Sequence, residues 1–329
     1  MASSFISSLN FARKEIVIYF DIPMFIMSII GGCLSLIIFL SLKTFRQSSC
    51  AFYLTIKSAY NVGLTIGSML PYIMRWGFGT DWGLPSLFFC KIRNSLATVF
   101  SSGSMTCLCL AVIDQYFATS SHVHLQKWCN IKLAHRLTAI FTIIWILQGI
   151  PYVVFYNHII SSSSNTTACE ITNENFSEYL AYGYYFTISN VLTLISIIFG
   201  IMAYYNARHL SHRAVPLIRR ELDKQLTVMV LVQVLINSCA VLPFGITFMV
   251  RKITATSSDP VFLAKINFAS STANSLYYLS CASPFYTYIC VSERFRQQLK
   301  YVLFEKHIKR YWQKRIIHNQ IAIEITTNV

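Results

Sequence analysis

Residues 90–116 read CKIRNSLATVFSSGSMTCLCLAVIDQY. The interior of the stretch is apolar or small, and each end carries a mark. Cys90 opens it and Asp114-Gln115-Tyr116 closes it, with Gln115 25 positions after the cysteine. At a helical rise of ~1.5 Å per residue that span is roughly 37 Å, a bilayer core with some tilt. A cysteine suited to a disulfide therefore stands at one face of a membrane, and a charged, switch-like triplet stands at the other.

The rest of the chain agrees with a membrane setting. Of 329 residues, 54% are hydrophobic and 12% charged, and the mean hydropathy is +0.50. A soluble domain carries about 25% charged residues, so this chain has too little polar surface for a water-soluble globule. Seven long apolar segments occur at roughly 17–42, 51–75, 89–117, 137–157, 178–207, 225–250 and 261–291. Each is long enough to span as a helix, and the ~10-residue alternating strands of a membrane barrel are absent. The expected fold is an all-α membrane protein. It has an extracellular segment 1–16, a seven-helix bundle 17–291 and a cytoplasmic amphipathic helix and tail 292–329.

Basic residues orient the bundle. Eighteen of the 27 Lys and Arg fall in one set of loops and the tail, eight fall on the other side, and Lys57 lies in a span. The richer side, which includes the 208–224 loop and the tail from Arg294 onward, is expected to be cytoplasmic. That leaves the N-terminus extracellular and the protein multi-pass in the plasma membrane. The net charge of +14 is mostly this asymmetry. It fits anionic lipid headgroups rather than a nucleic acid.

Of ten cysteines, only Cys90 and Cys169 face the oxidising side in this topology. A bridge between them would tie the 158–177 loop over the third helix; the alternative is two unrelated thiols. The same loop holds two glycosylation acceptors, Asn165-Thr166-Thr167 and Asn175-Phe176-Ser177.

Together the seven spans, the outside cysteine pair and the Asp-x-Tyr triplet resemble the rhodopsin-like G-protein-coupled receptors over about residues 15–305. Trp82, Trp145, Pro151, Pro243 and Ser292-Glu293-Arg294-Phe295-Arg296 match further landmarks of that family. Pro243 and Pro284 each remove a backbone donor, and either can hinge a helix or simply kink it for packing. The 292–304 stretch interleaves Arg294, Arg296 and Lys300 with Phe295, Leu299, Leu303 and Phe304, the pattern of an interfacial eighth helix. The resemblance implies a heterotrimeric G protein as inner partner, with Asp114, Gln115, Tyr116, Asp223 and Tyr288 at the coupling end.

Several positions depart from the family. Gln115 stands where it usually has an arginine that pairs with a sixth-helix acid, here Asp223. A Gln115–Asp223 bond would lack the charge–charge attraction. Gly32 replaces a first-helix asparagine, and Asn61 replaces the second-helix aspartate that serves a sodium site in many members. The seventh-helix Asn-Pro-x-x-Tyr is not intact. Tyr288 takes the tyrosine position by its seven-residue spacing to Phe295, although counting from Pro284 would select Thr287.

For the ligand, the resemblance excludes two classes. Amine receptors carry an aspartate seven residues after the cysteine, and here that residue is Ala97. Opsins carry a seventh-helix lysine, and Asn274-Ser275-Leu276-Tyr277-Tyr278 has none. Glu170, Glu174 and Glu178 opposite Arg251 and Lys252 point to a peptide, or to plain solvated loops. The pocket candidates are Ala97, Ser101, Phe244, Phe248 and Tyr277. An enzyme is not expected, since no set of residues has metal-ligand or acid–base spacing, and no cofactor is implied. A transporter is disfavoured because Asp21, Lys57 and Asp114 read as lying near span ends. A receptor-like protein that binds without signalling stays open through Gln115.

Overall fold

A computed structural model describes residues 2–41, 43–160, 167–208, 217–254 and 259–305. Seven long helices are present among them: α1 (Ala2–Ser41), α2 (49–77), α3 (Leu87–Thr119), α4 (Ile131–Phe155), α5 (Glu174–Arg208), α6 (Leu217–Ile253) and α7 (Pro260–Val291). A short helix, α8 (Glu293–Lys300), follows α7. Five of the seven, α1 and α3–α6, are long and apolar enough to cross a membrane. The other two are as long but richer in hydroxyl and amide side chains.

Local chemistry starts these helices where they start. Ser86 caps α3 by accepting from the Phe89 N–H, Asn130 caps α4 at Lys132, Asn173 caps α5 at Phe176, and Asp259 caps α7 at Val261 with Pro260 in the first turn. Each side-chain oxygen satisfies an N–H that has no partner inside its helix.

Prolines shape the interiors. Two wide π-helical turns, Val17–Asp21 and Thr65–Met69, each sit just ahead of a proline, Pro23 and Pro71. A proline ring clashes with the carbonyl four residues back, and a wider turn relieves that clash. In α7, Pro284 frees the Ser280 carbonyl, and the Ser283 hydroxyl donates to it at 3.2 Å.

In the bundle, α3 packs against α2, α4, α5 and α6, while α7 packs back on α1 to close the ring. Two-thirds of the apolar window of α3 is buried (67%), against 17% for α4, so α3 is the central post and α4 an outer one. The exposed face of α4 is Ile140, Ile143, Ile144, Leu147 and Ile150, apolar as a lipid-facing surface must be. Close approach of α1 to α2 needs Gly32, where a Cβ would run into the Val62 side chain.

Two points differ from the sequence reading. Helix α1 is described from Ala2 and not only from near residue 17, so Ala2–Ile16 continues into the first helix and packs on α7. As a result Asp21 lies halfway along α1 and is wholly buried, not close to a helix end. Lys57 is likewise buried, two turns inside the start of α2. Apolar runs mark where lipid contact begins, whereas helices extend as far as partners satisfy the backbone.

At the Asp114 end, Phe295 at the start of α8 is fully buried against Phe39, Phe285 and Tyr288, with ring centroids 5.5, 6.0 and 5.5 Å away. Tyr288, and not Thr287, meets it. Replacing Phe295 with alanine should cost about 3–5 kcal/mol, read as a lower melting temperature of the purified protein in detergent. An unchanged melting temperature would mean that α8 does not brace the bundle.

Candidate functional site

At the other end, Cys90 and Cys169 are bridged, with Cα atoms 5.9 Å apart. Cys169 lies in the second strand of a hairpin, β1 (Tyr156–Ile160) with β2 (Thr167–Ile171), opposite His158. A His158 ring nitrogen sits 2.7 Å from the Gly83 carbonyl, which joins the hairpin to the α2–α3 loop. That loop turns at Gly79, whose φ of 74° suits glycine.

Beneath this lid lies a cavity of about 400 Å³, within the range of ligand sites. All five pocket candidates, Ala97, Ser101, Phe244, Phe248 and Tyr277, line it. The Tyr277 and Ser101 hydroxyls are 2.7 Å apart, and Phe244 stacks on Tyr277 with centroids 5.0 Å apart. Tyr184 and Tyr185, neighbours in the π-helical stretch Tyr179–Ile188, both reach the wall. Tyr184 bonds Ser102 at 2.6 Å, and Tyr185 packs on Phe248.

Four arginines complete the lining: Arg13 from α1, Arg75 from α2, Arg93 from α3 and Arg251 from α6. No Asp or Glu is among the lining residues. Arg75 pairs with Asp81 at 3.2 Å, and Arg13 lies over the Trp76 ring at 3.8 Å. Burial pushes the phenol of Tyr156 up to about 12, against the pull of nearby Arg93. The three glutamates of the second loop are not in the lining. The convergence of the four is not visible in the sequence, where Arg251 reads as a loop charge facing a ligand and Arg13, Arg75 and Arg93 only as part of the orientation count.

At the Asp114 end, the Ser49 hydroxyl donates to both Asp114 carboxylate oxygens, at 2.7 and 2.8 Å. Gln115 is almost fully buried, and its Oε1 accepts from the Thr227 hydroxyl of α6 at 2.8 Å. The Asp223 side chain lies outside the described residues, as does Asn165; Thr227 is one turn beyond Asp223. Also on α6, Gln225 Oε1 accepts from the Ser292 hydroxyl at 2.8 Å and the Arg294 N–H at 3.3 Å, tying α6 to the start of α8. Tyr116 packs edge-on against Phe199 of α5. Neither Thr227 nor Gln225 carried a sequence signal, since polar residues in a span start look alike until packed.

Between the two ends, Asn61 is satisfied: its amide N–H donates to the Cys281 carbonyl at 3.2 Å, and its oxygen accepts from Ser104 at 2.5 Å. Among the described residues no group of three His, Cys, Asp or Glu could hold a metal ion.

A family model for the seven-transmembrane receptors of the rhodopsin family matches residues 31–285. The chain belongs to that family, whose members are receptors and not enzymes. Among known proteins it is similar to a dopamine receptor 2 of Drosophila melanogaster, 28% identical over 143 residues, which is 42% of this chain. The match covers 24% of that receptor's length.

With an uncharged Asn61 whose groups are already bonded, a sodium ion has no carboxylate to bind at that position. Replacing potassium with sodium should leave both melting temperature and ligand affinity unchanged. A sodium-specific rise in either would show that another acid supplies the site.

Proposed function

We propose that this protein is a signalling receptor of the plasma membrane. Its N-terminus and second loop face outside, with glycosylation at Asn165 in that loop and at Asn175 in the first turn of α5. Its basic loops, α8 and tail face the cytoplasm, with α8 lying at the lipid interface. An extracellular ligand occupies the cavity under the hairpin, and a heterotrimeric G protein engages the surface around Asp114, Gln115 and Tyr116.

One observation supports this reading above the others: cavity and latch share the same helices. Ser101 and Gln115 are both on α3, Phe244 and Thr227 on α6, Tyr277 and Tyr288 on α7. A ligand that shifts α6 at Phe244 therefore acts on the Thr227–Gln115 contact, with Pro243 between them as hinge. The ligand is neither an amine nor retinal, because the cavity carries no counter-ion for an ammonium and no lysine. A ligand of peptide character, read from the loop charges, is consistent with Arg251 at the rim.

The second reading, a receptor-like protein that binds without signalling, draws on Gln115 itself. A neutral hydrogen bond is worth about 1 kcal/mol net, about half of one to a charged group. Thr227→Val should therefore raise basal G-protein activation about fivefold, by the same free energy. Gln115→Arg should shift basal activity in a promiscuous reporter assay. If neither variant changes basal signalling while both reach the surface, the coupling reading fails and the silent binder stands.

A further inference from the structure

Four helices that need not place like charges together send an arginine each into one cavity. Arg13 lies within electrostatic reach of Arg75 and Arg251, and Arg93 within reach of Arg75. Like charges at such range repel, more strongly in a partly dry cavity than in water. Asp81 pairs with Arg75 and also lies within electrostatic reach of Arg93, which it offsets in part. Arg13, Arg93 and Arg251 have no carboxylate partner among the described residues. The cavity thus holds a surplus of positive charge under a lid, opposite a floor of Phe244, Tyr277 and Ala97.

We infer that the cavity is built for an organic anion, with a carboxylate, sulfate or phosphate held by Arg13, Arg93 and Arg251 and an apolar or aromatic body on Phe244 and Tyr277. Guanidinium forks pair bidentately with planar or tetrahedral oxyanions. Tyrosine rings add contact area, and their hydroxyls add donors that an anion accepts. A guest of opposite charge relieves the repulsion among the arginines, whereas an amine adds to it. Arginines at helix mouths elsewhere meet lipid headgroups, but these line an interior space between helices. The inference rests on the receptor reading only for its physiological meaning; the binding chemistry stands apart from coupling.

The test uses the full chain purified in detergent, in a buffer free of phosphate and sulfate. Melting temperature is recorded with matched pairs: indole-3-acetate and tryptamine, oleate and oleylamine, the dipeptide Gly-Phe and its carboxamide. At least one anion is expected to raise the melting temperature while its cationic or neutral partner does not. The pair that responds separates a small aromatic acid, a lipid acid and a peptide carboxylate. Arg93→Gln and Arg251→Gln should each weaken that binding about 10- to 100-fold, the loss of one charge-assisted contact. Arg251 is exposed, so its replacement does not endanger folding. Lys252→Gln, adjacent but outside the lining, should change nothing.

The inference is overturned if no anion shifts the melting temperature, if amines shift it equally, or if the shift survives in the Arg13→Gln/Arg93→Gln/Arg251→Gln variant. Because the readout needs no G protein, binding without reporter activity would sink the coupling reading and keep this one. An amine that activates the reporter would do the reverse.

Discussion

A membrane interior offers no water to satisfy a polar group, so every hydroxyl and amide carried into the bundle must find a partner there. That constraint organises the protein. Ser28 meets Thr65, Tyr60 meets Thr142, Ser68 meets Tyr278, and the Trp145 indole donates to Thr106. Each pair crosses from one helix to another. In lipid, apolar side chains gain little by leaving one another's company for the tails. Close packing and such crossings therefore carry much of the helix–helix specificity. The serine- and tyrosine-rich α7 exchanges such bonds with α1, α2 and α3.

Among the described residues a few buried polar atoms lack a partner, and they are spread over α1, α4, α5, α6 and α7. Asp21 accepts from Ser275 at one oxygen only; its other oxygen is buried and unpartnered. The hydroxyl of Tyr288, at the Asp114 end, is buried without a bond. Each such atom costs the bundle the desolvation of a polar group.

Much of this was legible in residue order. Apolar runs located the seven helices, and the spacing between Tyr288 and Phe295 picked out the tyrosine that packs in the core. Those signals are periodic or compositional, and they survive without knowing which faces meet. The extension of α1 to Ala2 was hidden because polar residues there satisfy a helix as well as apolar ones do. The Gln115–Thr227 contact and the four-arginine lining were hidden for another reason. They depend on how four helices rotate about their axes, and wide turns before Pro23 and Pro71 shift that rotation by amounts that no single-sequence pattern records.

The two ends of the bundle distribute charge in complementary ways. At the Asp114 end a glutamine stands where an arginine is expected, and it makes a neutral hydrogen bond with Thr227. At the Cys90 end four arginines line the cavity and no Asp or Glu is among its lining residues. A two-state receptor responds to a ligand only by the ligand's differential affinity for the two states. A weak latch lowers the free energy that must be supplied to open it, and a cavity with repelling cations raises the free energy an anion can release on filling it. Only an anion that binds more tightly when the Gln115–Thr227 bond is open would help to open it. The Gln115–Thr227 bond and the bonds of Gln225 to Ser292 and Arg294 add polar ties to the packing of α6 on α7, α5 and α3.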